Sequence, residues 1–158
     1  MMYMRVNNKV LPDFEARKMK KLTLTIAALL STICLAAPAK AENPAQVKQL
    51  IQTGACPRCD LTGANLKGAH LIGADLRAAN LKGANLEAAN IEGADLTGAN
   101  LQKANLTKVF ASDAILNSSD LTGVKISGAE LYNVEMHGAV LTGTNLNDAK
   151  LYGANRTE

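Results

Sequence analysis

An all-β solenoid wound in five-residue steps is the fold class that the sequence predicts. A large apolar residue returns every five positions from Leu61 to Leu151, and Gly recurs at a fixed place within the steps. Aromatic residues are only 3 % of the 158 residues and Trp is absent. A core of this size must therefore be built from Leu and Ala rather than from rings. Apolar residues reach 47 %, enough for such a core and too many for simple disorder.

The first segment reads as an export leader. Lys20-Lys21 precede Leu22 to Ala37, an uncharged run rich in Leu, Ile and Ala, and Pro38 leads into Ala39-Lys40-Ala41. A basic start, a short apolar stretch and small residues at the −3 and −1 positions make a signal peptide cleaved after Ala41. The run of about sixteen residues is short for a membrane span; an uncleaved anchor is the competing reading. Ile33 before Cys34 argues against a lipoprotein site, and Arg17-Lys18 is not a twin arginine. Asp13 and Glu15 sit badly in a basic n-region, and Met19 makes the more ordinary start.

The leader, residues 1–41, also carries the chain's basic character. It holds Arg5, Lys9, Arg17, Lys18, Lys20, Lys21 and Lys40 against Asp13 and Glu15. Of 17 basic and 14 acidic residues, 10 and 12 then remain, turning a formal +3 into −2. No nucleic-acid partner is expected of such a chain, and no membrane association once the leader is removed.

Residues 42–55 predict a short helix. Asn43 suits the N-cap, Pro44 the first turn and Gly54 the stop. Val47, Leu50, Ile51 and Ala55 make one apolar face, suited to covering the first coil of a solenoid. A partner-docking helix is the alternative.

Cys56-Pro57-Arg58-Cys59 follows. Counting back from Leu61 in fives puts Cys56 at an inward position, and Cys59 at the small inward position beside it. In an oxidising compartment the pair can close a small loop as a staple. Free buried thiols, redox activity and metal binding stay open. Redox work wants a strand–motif–helix context, and metal needs more ligands than His70 and His137 supply from different faces. No metal site and no cofactor are expected.

The repeat fills residues 56–158. Its ladder is Leu61, Leu66, Leu71, Leu76, Leu81, Leu86, Ile91, Leu96, Leu101, Leu106, then Leu116, Leu121, Ile126, Leu131, Met136, Leu141, Leu146 and Leu151, with Ala111 in the one remaining place. Small residues stand two positions earlier, as at Ala64, Ala69 and Ala74, with Asn or Asp between. Five residues advance an α-helix by about 500°, which scatters the ladder instead of aligning it. On a flat strand an odd period alternates faces. Each unit must therefore extend, turn and return its Leu to a shared interior. Gly at the corner supplies positive φ without steric cost, and Asn or Asp beside it can bond local backbone.

The A-(D/N)-L-x-x pattern, clean over ten consecutive units and extending from Cys59 to Asn155, resembles the pentapeptide-repeat family. The resemblance implies a right-handed quadrilateral β-helix with four units, or twenty residues, per coil. Nineteen units make just under five coils, a rod of roughly 23 Å at the usual strand spacing. The C-x-x-C-D-L-x-G-A-N-L opening is similar to that of exported cyanobacterial members, implying a thylakoid lumen or periplasm.

The pattern weakens after Leu106. At Ala111 either the core has a void or Phe110 turns inward with a bulge. A twenty-residue coil sets Phe110, Tyr132 and Tyr152, the only aromatics after the leader, on the side carrying His70 and Ile72. Ordinary surface stacking explains such a set, and so does a ligand- or protein-binding face. Beyond Leu151 only a short tail follows; the last coil is a template for an end-to-end dimer or a docked partner, which Arg156 and the charged terminus could equally blunt.

No catalytic residues emerge: there is no Ser/His/Asp set, acid–base carboxylate pair or phosphate loop. The function expected is a non-enzymatic exported scaffold that binds an unidentified protein. The alternatives are a thiol-redox protein using Cys56 and Cys59, and a gyrase-binding DNA mimic like one branch of the family. The weak net charge and the export signal disfavour the mimic.

Overall fold

The computed structural model describes Arg5–Val6, Lys9–Val10 and residues 43–155. The export-signal reading of residues 20–41 and the tail residue Arg156 lie outside the described residues. The chain divides into two units, Met1–Ala39 and Lys40–Glu158. In the first, β1 (Arg5–Val6) pairs antiparallel with β2 (Lys9–Val10), Arg5 opposite Val10.

In the second unit, α1 spans Pro44–Thr53. The Asn43 side chain accepts from the Gln46 N–H at its start, and Gly54 ends it at φ 69°. Its inner residue, Leu50, is completely buried. The Gln46 side-chain oxygen accepts from the Asp60 N–H at 2.7 Å. In the next coil the equivalent Asn80 N–H donates instead to the Cys59 carbonyl of the coil before. A glutamine side chain of α1 thus stands in for a preceding coil.

From Ala55 on, parallel bridges join each residue of a ladder to the one twenty positions later. Asp60, Asn80, Asn100, Asp120 and Val140 form one such column, and Asn65, Asn85, Asn105 and Lys125 the next. His70, Asn90, Phe110, Glu130 and Lys150 form the third, and Ala55, Asp75, Asp95, Ile115, Glu135 and Asn155 the fourth. Four columns per twenty residues make a four-sided coil, and each side is named below by its first polar member. Neighbouring coils are tied in both directions: the Leu81 N–H reaches up to Asn100 O and the Asn80 N–H down to Cys59 O. Backbone groups that would otherwise be orphaned inside a solenoid are thereby paired.

Corners close by a short turn, as where the Ala64 N–H donates to Leu61 O with Gly63 at φ 68°. That is the third position of a type II turn, which demands positive φ. The Asn or Asp ahead of each Leu accepts from the N–H two residues on, as Asn90 does from Glu92 at 2.9 Å. This Asx bond holds the chain as it enters the corner.

The interior is the apolar ladder plus the small residues beside it. Leu61 through Leu106, Leu116, Leu121, Ile126, Leu131 and Met136 are all buried. Ser119 takes an Ala place and satisfies its hydroxyl on Leu116 O at 2.7 Å.

Three of the expected core residues depart from this. Leu141 and Leu146 are only half-buried, and Leu151 is exposed. Ladder residues are covered by those twenty positions on, and no described residue lies there.

Of the two alternatives at Ala111, the inward Phe110 is the one that fails. Phe110 does not turn inward: it is 46 % exposed, while Ala111 is fully buried in an unbroken coil. The backbone irregularity of the coil lies further on, at Asn145–Ala149. There Lys125 has no bridge to Asn145, and Gly128 N–H donates to Asp148 O, one residue past the usual partner. Thr144, in an Ala place, turns its hydroxyl to Leu121 O, and Asp148 does not adopt the positive φ of the other corner residues.

Candidate interaction surface

The His70 side gathers the residues singled out from the sequence. Its bridge column runs His70, Asn90, Phe110, Glu130, Lys150. Two residues further along, corner hydrogen bonds stack Ile72, Glu92, Ser112, Tyr132 and Tyr152, with Gly73 N–H to Glu92 O and Asn133 N–H to Tyr152 O among them. Tyr132 and Tyr152 therefore sit on successive coils, and Phe110 lies one coil before Tyr132. Tyr152 is 80 % exposed and Ile72 62 %, whereas Tyr132 is half-buried.

His70 and Ile72 share the side but not the cluster. The coil of Asn90 and Glu92 separates them from Phe110, a span of about 10 Å at two coil spacings. The aromatic group is therefore Phe110, Tyr132 and Tyr152, edged by an ion pair between Lys150 Nζ and Glu130 Oε1 at 2.8 Å. That carboxylate raises the Lys150 pKa. The pair runs between successive coils, so it holds the lysine against its own side.

Cys56 and Cys59 flank the first corner. Both are buried, their Cα atoms are 5.4 Å apart and their sulfurs stand at bonding distance. Arg58 holds the corner at φ 59°, a place taken by Ala78, Gly98, Ser118 and Gly138 in the later coils. The Gln46 carbonyl of α1 lies 3.5 Å from Cys56 Sγ, so α1 packs over the Cys56 end of the pair. Among the described residues no group of three or more His, Cys, Asp or Glu is placed to hold a metal ion. Among them, too, no helix is long and apolar enough to cross a membrane.

One charged cluster escaped the sequence reading. Arg77 makes a bidentate pair with Asp75, Nε to Oδ1 at 2.8 Å and Nη2 to Oδ2 at 2.7 Å, and its Nε lies 3.8 Å from Asp95 Oδ2 on the next coil. The guanidinium beside it holds the Asp75 carboxyl down at about 2. The only signal was the D-x-R spacing, which puts both side chains on one corner. Arg77 and Arg58, with Pro57 and Ala78, line a shallow surface depression.

The Pentapeptide repeats family matches in eight copies over residues 59–98, 94–131 and 119–155. No curated protein matches. Among solved structures, the chain is similar to a variant of QnrB1, a plasmid-mediated fluoroquinolone resistance protein. The two are 19 % identical with a TM-score of 0.59, over 66 % of this chain and 61 % of that one. The chain thus spans less than two thirds of QnrB1. It is also similar to alr5209, a pentapeptide repeat protein of Nostoc PCC 7120, at 26 % identity and TM-score 0.58 over 73 % of this chain and 96 % of that one. A pentapeptide repeat protein of the Arabidopsis thaliana thylakoid lumen aligns at 29 % identity and TM-score 0.34, over 68 % and 65 % of the two chains.

Proposed function

The chain belongs to the pentapeptide-repeat family, whose members fold as right-handed quadrilateral β-helices, and we propose that it is a non-enzymatic, exported scaffold that binds a protein through its His70 side. The observation that carries this is the placement of Phe110, Tyr132 and Tyr152 on adjacent coils of one side, with Phe110 and Tyr152 open to solvent. Clustered aromatics on an otherwise polar surface are what protein interfaces use as anchors. Tyr has few rotamers to lose and offers a hydroxyl at its tip, so it binds at low entropic cost. The rigid coil fixes the spacing of the three rings in advance.

Export rests on the leader, and with it the oxidation of Cys56 and Cys59 as a structural staple. Both cysteines are buried, Cys56 against α1, which suits a staple better than a thiol exchanged with a partner protein. The likeness to QnrB1 supports the shared fold and does not extend to its resistance function. DNA gyrase supercoiling is expected to proceed unchanged in the presence of this protein.

The test is a pulldown from the native exported compartment, using the wild type and a Phe110→Ser/Tyr132→Ser/Tyr152→Ser variant. The wild type should recover a discrete set of partners that the variant loses. Recovery of the same set by both would remove the His70 side from consideration.

A further inference from the structure

Charge is unevenly distributed around the coil. Of nine basic residues between 43 and 155, five fall on the Asn65 side or its two corners: Lys67, Lys82, Lys103, Lys108 and Lys125. All five are exposed. The carboxylates there are Glu87, paired with Lys67 at 2.9 Å, and Asp148. Lys82 also lends some of its field to Asp120 on the adjoining side. The overall charge of −2, beside which no membrane association is expected, conceals this surface because it averages over four sides, and the proposal below departs from that expectation.

Two of these lysines sit where a side chain is costly. Lys103 and Lys108 hold φ of 58° and 57° at consecutive corners of one coil, a conformation disfavoured for residues with a Cβ. Their stems lie over Gly123 and Gly128 of the next coil.

The rest of the side is Thr62, Asn65, Asn85, Gln102, Asn105, Thr122 and similar residues, without an aromatic or an Arg. Protein interfaces deplete Lys and draw on aromatic and Arg anchors. Nucleic-acid sites that read bases or stack them draw on Arg for base edges and on rings, both missing from this side, and contact with phosphates alone is the outcome that the duplex-DNA arm of the experiment separates. A flat field of ammonium groups with hydroxyl and amide donors between them matches a surface of diffuse negative charge.

We propose that the Asn65 side is a peripheral docking surface for anionic lipid headgroups. The lysines supply non-directional attraction, and the amides and hydroxyls between them bond headgroup oxygens. Each lysine near an anionic bilayer should raise partitioning roughly fivefold, and high salt should abolish the effect.

The experiment labels exposed amines of the full chain with an acylating reagent and reads each lysine by mass spectrometry. It compares mixed phosphatidylcholine–phosphatidylglycerol vesicles with phosphatidylcholine alone. The expected result is several-fold protection of Lys82, Lys103, Lys108 and Lys125 by the mixed vesicles only, reversed by high salt, with Lys48 and Lys150 labelled as before. A K82Q/K103Q/K108Q/K125Q variant should lose at least tenfold in binding to the mixed vesicles, while K48Q binds as the wild type does. Equal labelling of the four lysines with and without mixed vesicles would overturn the proposal. So would equal binding by the quadruple variant, or protection that persists on phosphatidylcholine alone, the pattern of an inserting leader. Protection of the same lysines by duplex DNA at lower concentration than by vesicles would overturn it too. Because the wild type is read residue by residue, the test holds even if the quadruple variant fails to fold.

Discussion

Replacing Ala111 with Leu should stabilise the protein. Ala111 is fully buried between Ile91 and Leu131, each 1 % exposed, in one inward column. Bridges from Asn90 to Phe110 and from Phe110 to Glu130 keep the coils in step there, and the Ala111 N–H still reaches Glu130 O at 2.9 Å. The backbone has therefore not closed around the smaller residue, and the column is short of one large side chain. Leu adds three carbons, worth about 0.8 kcal/mol each when buried, or roughly 2.4 kcal/mol together. Ordering the new side chain costs about 0.5–1 kcal/mol, leaving a gain of roughly 1.5–2 kcal/mol. Urea denaturation followed by circular dichroism should show a higher midpoint at unchanged slope. A lower midpoint would refute the reasoning: the interior around Ala111 would then already be filled, and the added carbons would be strain.

Three other substitutions test other parts of the structure. Leu96→Ala should cost about 2–5 kcal/mol, and Leu96→Asp should leave no folded protein, because position 96 is fully buried and offers a carboxylate no partner; circular dichroism of the two variants distinguishes these outcomes. Asp75→Asn should flatten the acid limb of a thermal-stability profile: the Asp75 pKa falls from 3.8 to about 2 beside Arg77, so its contribution is complete above the ordinary carboxylate range and is lost as pH falls from about 4 towards 2. A wild-type and a D75N profile of equal steepness in that window would count against the pair. The Cys56→Ser/Cys59→Ser variant should melt lower by an equivalent of about 2 kcal/mol, the loop-closure value for so short a loop, and should show no loss in a thiol-exchange assay; the reverse pattern would support the redox alternative.

The period of five made the interior legible, because an apolar residue every fifth place is compatible with neither a helix stripe nor a flat strand. The ladder from Leu61 to Met136 is buried accordingly. Leu141, Leu146 and Leu151 look the same in sequence, yet their burial depends on what covers them, which a local pattern does not carry. The outward Phe110 follows from the alternation within the unit: Ala111 holds the inward place, and its predecessor points away. The choice between void and bulge there needed backbone spacing. The role of Gln46 had no signal, since an amide replacing a backbone carbonyl is visible only once α1 lies across the coil. The lysine side is open to the same twenty-residue counting that groups the aromatics; it stays hidden when charge is taken as one net value for residues 42–158, which averages a basic side with acidic ones.

The coil of twenty residues in units of five has a consequence for how such a chain can change length. Adding or deleting one unit keeps every Leu inside and every corner at its Gly place, so the fold hardly registers the edit. The surface registers it fully, because every later residue moves a quarter turn to the next side. Loss of a unit between Phe110 and Tyr132 would leave the ring of Phe110 behind on its old side and carry both tyrosines to another. Only changes of four units at once preserve what each side displays. Variation by single units is thus nearly neutral for stability and decisive for recognition, giving the lineage a simple way to redraw its surfaces without rebuilding its core.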